Sequence, residues 1–282
     1  MGSGVRRASG PRAPGCAWRA WAISWPSVSR RRSSMRYLGP HACEEALARG
    51  ELHTVWIAPA AFGRMAKLVA EARAAGVVIH REPMEGLDRR SQGQRHQGVL
   101  GEGGAFAYAE IETVLASVKA KGDAALVLAL DGVTDPHNLG AILRSAAAAA
   151  VDGVILPERR SAAVNETVVR ASAGTAGRVP VCRVVNLGRA LDDLKDAGAW
   201  IYGLAAGEGS RDYLRESFDR ATVLVMGAEG EGLHLKIRER CDGLLHIPMP
   251  GGIESLNVSA AAAVTLFRVI ARRGSASPEV SP

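Results

Sequence analysis

The chain has 282 residues, 47% hydrophobic and 23% charged, a balance normal for a globular protein with a sizeable core and room for two domains. Its four cysteines, Cys16, Cys43, Cys182 and Cys241, form no CxxC pair, which argues against a zinc knuckle or a disulfide framework, and no apolar run approaches the ~18 residues of a membrane span. The net charge of +6 suggests a nucleic-acid binder, yet residues 1–43 hold eight of the 35 basic residues and no acid, so the remainder carries 27 basic against 29 acidic residues, a net of −2, and any nucleic-acid affinity must come from local sites.

Residues 1–34, rich in Arg, Ser, Gly and Pro, have the composition of a disordered basic extension. Trp18, Trp21 and Trp25 fall at helical spacing before Pro26. The segment reads as a short targeting helix, as an RNA contact, or as translated upstream sequence with Met35 as the true start. Residues 35–108 alternate helix and strand: 42–49 helical, 53–58 strand, 60–75 helical, 77–80 strand, and a strand near 98–100. This is a small α/β domain. Arg89, Arg90, Arg95 and His96 precede its last strand and read either as RNA backbone contacts or as a solvated charge run. Residues 109–122 read as a helical linker ending at Gly122.

From 123 to 275 the beat is regular. Strand-like segments at 125–130, 153–156, 179–184, 200–204, 222–226 and 244–247 alternate with helix-like segments at 139–150, 164–171, 187–196, 233–241 and 256–272. Such order predicts a parallel sheet covered on both faces, with ligands at the carboxyl ends of its strands. Residues 276–282 read as a disordered tail.

Three loops at those ends carry the candidate chemistry. The first, after residue 130, runs Asp131 to Gly140 and places Asn138 where a helix N-cap belongs, with Arg144 six residues on. The second reads Gly227-Ala-Glu229-Gly-Glu-Gly232, where glycines let backbone approach a ligand closely; it is neither a dinucleotide fingerprint nor a phosphate loop. The third runs from Ile247-Pro-Met to Ser255-Leu256-Asn257-Val-Ser259, with more hydroxyl and amide groups than one helix cap requires. Singly, each segment is equally well a cap, a tight turn or a close helix packing.

Together, in this order and spacing, the three segments resemble the three motifs of the SpoU (TrmH-like) ribose 2′-O-methyltransferases of the SPOUT superfamily. Gly39-Pro-His41-Ala-Cys43-Glu-Glu45-Ala-Leu47 and His96-Gln-Gly-Val99 resemble the two ends of the family's L30e-like substrate-binding domain, with Cys43 where Val is usual. The resemblance implies an α/β fold: a C-terminal α/β-knot domain, threaded into a trefoil knot, preceded by a small L30e-like domain. It implies S-adenosylmethionine as cofactor, lying against Gly227, Ile247 and Leu256, and a catalytic group of Asn138, Arg144, Glu229, Ser255 and Asn257, with no metal. It also implies a homodimer. This pairing of domains is typical of family members that methylate a guanosine in the peptidyl-transferase loop of 23S ribosomal RNA; a tRNA or other ribosomal site and a non-catalytic assembly factor are the alternatives. The expected compartment is the cytoplasm, with an organellar address left open by residues 1–34. A guanidinium is a poor base, because its pKa exceeds ~12. Arg144 is therefore expected to bind a phosphate bidentately and stabilise developing alkoxide charge, while its neighbours orient it and the ribose.

Overall fold

Two sheets organise residues 34–274, the part of the chain described by the computed structural model. Apart from Ser34, the expectations for residues 1–34 and 276–282 lie outside the described residues. The small lobe comprises β1 (Met35–Leu38), α1 (Pro40–Ala48), β2 (Leu52–Ile57), α2 (Ala66–Ala74), β3 (Val78–Arg81), α3 (Met84–Arg90) and β4 (Val99–Gly103). Its strands lie in the order β1-β4-β2-β3, with β4 antiparallel to both neighbours and β3 parallel to β2. The helix expected over 60–75 is instead a short 3-10 turn, Pro59–Ala61, followed by α2. Gly63 lies in the break, where its backbone entropy opposes a continuous helix.

The large lobe follows: α4 (Ile111–Lys121), β5 (Leu126–Asp131), α5 (Pro136–Ala148), β6 (Gly153–Pro157), α6 (Glu166–Ala171), β7 (Val181–Val184), α7 (Leu187–Asp196), β8 (Trp200–Leu204), β9 (Ser210–Asp212), β10 (Thr222–Gly227), α8 (Leu235–Arg238), β11 (Gly243–His246) and α9 (Val258–Gly274). Its seven strands are all parallel, in the order β7-β6-β5-β10-β8-β11-β9. The predicted helix over 233–241 shrinks to α8.

Both faces of this sheet are buried, which is why its strands read as continuous apolar runs. Successive side chains alternate between the two faces. Leu126, Leu128 and Leu130 of β5, with Leu224 and Met226 of β10, enter one core. Val127 and Ala129, with Val223 and Val225, enter the other. The chain runs from β5 to β6 to β7 toward one edge, then returns to place β10 beside β5. Strand order reverses there, and at such a point the carboxyl ends open a crevice.

Residues 109–122 do more than link the lobes. Val114 and Val118 of α4 are buried in the second core. Asp152, itself buried, accepts hydrogen bonds from Ser117 Oγ at 2.7 Å and Leu126 N at 2.9 Å, and pairs with Lys121 Nζ at 2.6 Å. The helix is thereby fixed to the sheet.

The lobes share the first core, which runs from Tyr37 and Ala46 through Val168 and Ala176. Polar contacts cross the same junction: Arg36 Nε donates to Glu166 Oε1 at 2.8 Å, and Arg178 Nε to Glu45 Oε2 at 2.9 Å. Gly174, at φ +84°, sits so close to α1 that a Cβ there would lie 3.0 Å from Ala42 Cα. The Arg178 guanidinium, through its hydrogen bond, holds the Glu45 carboxyl below the usual carboxylate range. A folded value below the unfolded ~4.3 means that the pair contributes stability above that pH and loses it as pH falls through the folded value. In thermal melts the advantage of wild type over Glu45→Gln should therefore shrink on acidification from about pH 7 to about pH 3. An advantage independent of pH would show that the ion pair contributes nothing to docking.

Among the described residues no helix is long and apolar enough to cross a membrane. Among them, too, no group of three or more His, Cys, Asp or Glu could hold a metal ion.

Candidate active site

The crevice at the carboxyl ends of β5 and β10 is a cavity of about 490 Å³ lined by Gly132, Asp135, Asn138, Arg160, Glu229 and His234, among others. Asn138 reaches it because it is not the cap of α5. Asp135 takes that role, accepting from the backbone N–H groups of His137 at 3.1 Å and Asn138 at 3.2 Å, and Pro136 supplies the pre-set first helical residue. This corrects the sequence expectation. With its backbone N–H already satisfied, Asn138 has a free amide.

That amide joins the three loops. Asn138 Nδ2 donates to Glu229 Oε2 at 3.1 Å, and Asn257 Nδ2 donates to Asn138 Oδ1 at 2.9 Å. Asn257 Oδ1 accepts from Ser259 N at 2.9 Å and from Ser259 Oγ at 2.6 Å, which holds the start of α9. Each amide is thus oriented by what it accepts and what it donates. Ser255 lies exposed two residues before Asn257, outside this network.

Arg144 is not brought to the network. Six residues past Asn138, it projects about 120° round α5. It is exposed, and among the described residues its guanidinium has no hydrogen-bond or ion-pair partner. Of the four cationic candidates in the small lobe, His96 is buried and serves the fold: its Nε2 lies 2.9 Å from Asp88 Oδ1, and its Nδ1 accepts from Gly98 N at 3.2 Å. Arg90 packs over the Trp56 ring at 4.5 Å and pairs with Glu82, while Arg89 and Arg95 are exposed.

Gly227 ends β10 opposite Asp131 of β5. A Cβ on Gly227 would stand 2.2 Å from Gly232 C and 2.5 Å from Leu233 N. The loop between folds back tightly, with Ala228 and Gly232 exchanging backbone hydrogen bonds at 2.9 Å. Ile247 and Leu256, both half-buried, follow β11 and precede α9. Beside Gly227 is a pair the sequence reading missed. Asp131, buried, accepts from His234 N at 2.8 Å and lies 3.0 Å from His234 Nδ1. Its only signal is an acid closing an apolar strand at the carboxyl end.

The family model described as the SpoU rRNA Methylase family matches residues 125–267. The chain belongs to this family. A second model, described as RNA 2′-O ribose methyltransferase substrate binding, matches residues 38–109. The SpoU chain is 47% identical over 213 residues to the 23S rRNA (guanosine-2′-O-)-methyltransferase RlmB of Xanthomonas campestris, covering 74% of this chain and 84% of that one. It is 42% identical over 241 residues to the protein of the same name from Xylella fastidiosa, covering 86% and 93%. Among solved structures it is similar to an AdoMet-bound rRNA methyltransferase from Sinorhizobium meliloti, with a TM-score of 0.71 and 25% identity over 86% of this chain and 88% of that one. The α/β fold with its parallel sheet is that of these SPOUT neighbours.

Proposed function

We propose that this chain transfers a methyl group from S-adenosylmethionine to the ribose 2′-hydroxyl of a guanosine in the peptidyl-transferase loop of 23S ribosomal RNA. The observation that carries the reading is the hydrogen-bonded convergence of Asn138, Glu229 and Asn257, from three separate loops of a SpoU-family chain, with Asn138 and Glu229 on the wall of one cavity. The relatives named as 23S rRNA guanosine-2′-O-methyltransferases align with most of the chain. That extent, together with the substrate-binding match over 38–109, favours ribosomal RNA over tRNA.

The residues present fit the cofactor. At Gly227 the place of a Cβ is filled by the backbone of Gly232 and Leu233, so only glycine permits this tight turn, and the surface the turn offers a ligand is backbone. Ile247, after β11, and Leu256, before α9, offer half-buried apolar surface of the kind an adenine ring packs against. These three residues would hold the cofactor, which would supply an electrophilic methyl group on a sulfonium. Asn138, Glu229, Ser255 and Asn257 orient the ribose, and alignment of its 2′-oxygen carries much of the rate, since proximity effects reach ~7–11 kcal/mol. Residues 35–108 grip the RNA and 123–275 perform the transfer. Threading of the segments after β10 and β11 into a trefoil knot belongs to the same reading.

The protein acts as a homodimer in the cytoplasm. Arg144 faces away from its own cavity, and α9, packed on α5, leaves Val264, Phe267 and Ile270 exposed at helical spacing. A second copy covers this face, and Arg144 of each protomer completes the other's site, binding phosphate as a bidentate fork.

The test is transfer from labelled cofactor to unmodified 23S rRNA and, separately, to unmodified tRNA, with the product mapped. One 2′-O-methylguanosine in 23S rRNA, lost with Arg144→Ala, is the expected result. Label in tRNA alone would move the assignment to the sister activity. Failure to bind cofactor would make the chain a non-catalytic RNA-binding factor.

A further inference from the structure

We infer that His234, held by Asp131, accepts the proton of the ribose 2′-hydroxyl, so that an imidazole and not Arg144 is the base of the reaction; this rests on the reading proposed above. The two bonds from Asp131 do different work. The one to His234 N, at 2.8 Å, already pins the loop after Gly232 to the end of β5. The second, to Nδ1 at 3.0 Å, is not needed for that purpose. It does what a buried carboxylate does to any imidazole: it keeps the proton on Nδ1 and leaves Nε2 as the acceptor. His234 lines the same cavity as Asn138 and Glu229, so this acceptor stands with the groups that orient the ribose.

The competing groups are less suited. Arg144 carries a guanidinium, which does not deprotonate. Asp135 is occupied at the α5 cap, and Glu229 Oε2 accepts from Asn138. Carboxylates, with ordinary values near ~4, are also weaker bases than imidazole. The remaining ionisable groups on the cavity wall are Arg160 and Glu231. Lys236, Arg238 and Glu239 lie along and just after α8, and Cys241, its thiol pushed up to about 11 chiefly by burial, feels the Asp131 charge. In the step itself the O–H bond breaks, the proton goes to Nε2 and its electron pair stays on oxygen. The oxygen bonds the methyl carbon as the carbon–sulfur pair returns to sulfur, leaving a neutral thioether and an imidazolium. Asp131 is a positioning residue that also stabilises the cation formed.

His234→Asn separates this role from a structural one, because its amide can still donate to Asp131 but has no basic nitrogen. It should bind cofactor as wild type does in calorimetry yet lose about 10²-fold or more in kcat. Wild-type kcat should fall on the acid side as the imidazole protonates, and His234→Asn should lack that limb. In the cofactor-free protein, nitrogen NMR should show neutral His234 with its proton on Nδ1. A His234→Asn enzyme with wild-type kcat and acid limb would overturn the proposal alone. So would loss of the limb in Glu229→Gln but not in His234→Asn, or a proton found on Nε2. Absence of any transfer by wild type would overturn the underlying reading and this proposal with it.

Discussion

Heterodimers that pair an Arg144→Ala protomer with a Glu229→Ala protomer should recover methyl transfer that both homodimers have lost. Each homodimer should fall by about 10²–10³-fold, the usual cost of removing one group aimed at developing charge. The reasoning is geometric. Glu229 is tied to Asn138 in its own cavity, whereas Arg144 projects from another face of α5 and has no partner among the described residues. In the mixed dimer the Arg144→Ala protomer keeps an intact cavity, and its neighbour still supplies an arginine. One site of two is then whole, so activity should approach about half of wild type. No recovery would mean that Arg144 acts within its own protomer, or that the contact face lies elsewhere. Arg144→Lys adds a finer test: near-normal turnover would show that a point charge suffices and that bidentate geometry is not used.

Gly227→Ala should abolish cofactor binding while Gly230→Ala, three residues on, should only weaken it. A Cβ at Gly227 meets backbone, with Gly232 C at 2.2 Å and Gly232 O at 2.3 Å, and backbone cannot rotate aside. The loop must open, and the contacts of His234 to Asp131 open with it. Gly230, at φ +84°, has nothing within 4 Å. Alanine there costs about 1–2 kcal/mol of left-handed strain and no collision. Calorimetric titration with cofactor separates the two, and circular dichroism confirms that both variants fold. Cofactor binding by Gly227→Ala at wild-type affinity would show that the tight loop is not part of the binding surface.

How much of this was legible depended on what each segment buries. The central strands announce themselves because both faces of β5 and β10 are packed, so nearly every residue is apolar. β9 gave no such signal: Ser-Arg-Asp at the sheet edge buries no apolar side chain and pairs with β11 through its backbone and the contact of Ser210 Oγ with His246 Nδ1 at 3.0 Å. Nor did β1, four residues long with only Met35 and Tyr37 buried. At the site, the residue types and their order could be read by resemblance, but not which of them touch. Asn138 was placed at a cap because spacing cannot rank Asp135 against it; Pro136 at the first helical position decides the matter. Arg144 sits in the expected motif, yet helix phase keeps it out of its own cavity. The Asp131–His234 pair joins residues 103 apart, and no local pattern reports such a contact.

The shared core between the lobes has a further consequence. With Gly174 seated against Ala42 and ion pairs on the same junction, the surface carrying Arg89 and Arg95 stands at a set span from the cavity of Asn138 and Glu229. On the proposed reading the small lobe is then a caliper as well as a handle. An RNA whose anchored helix and target ribose differ from that span cannot engage both ends at once, so nucleotide choice becomes a measurement of distance, made before any base is read.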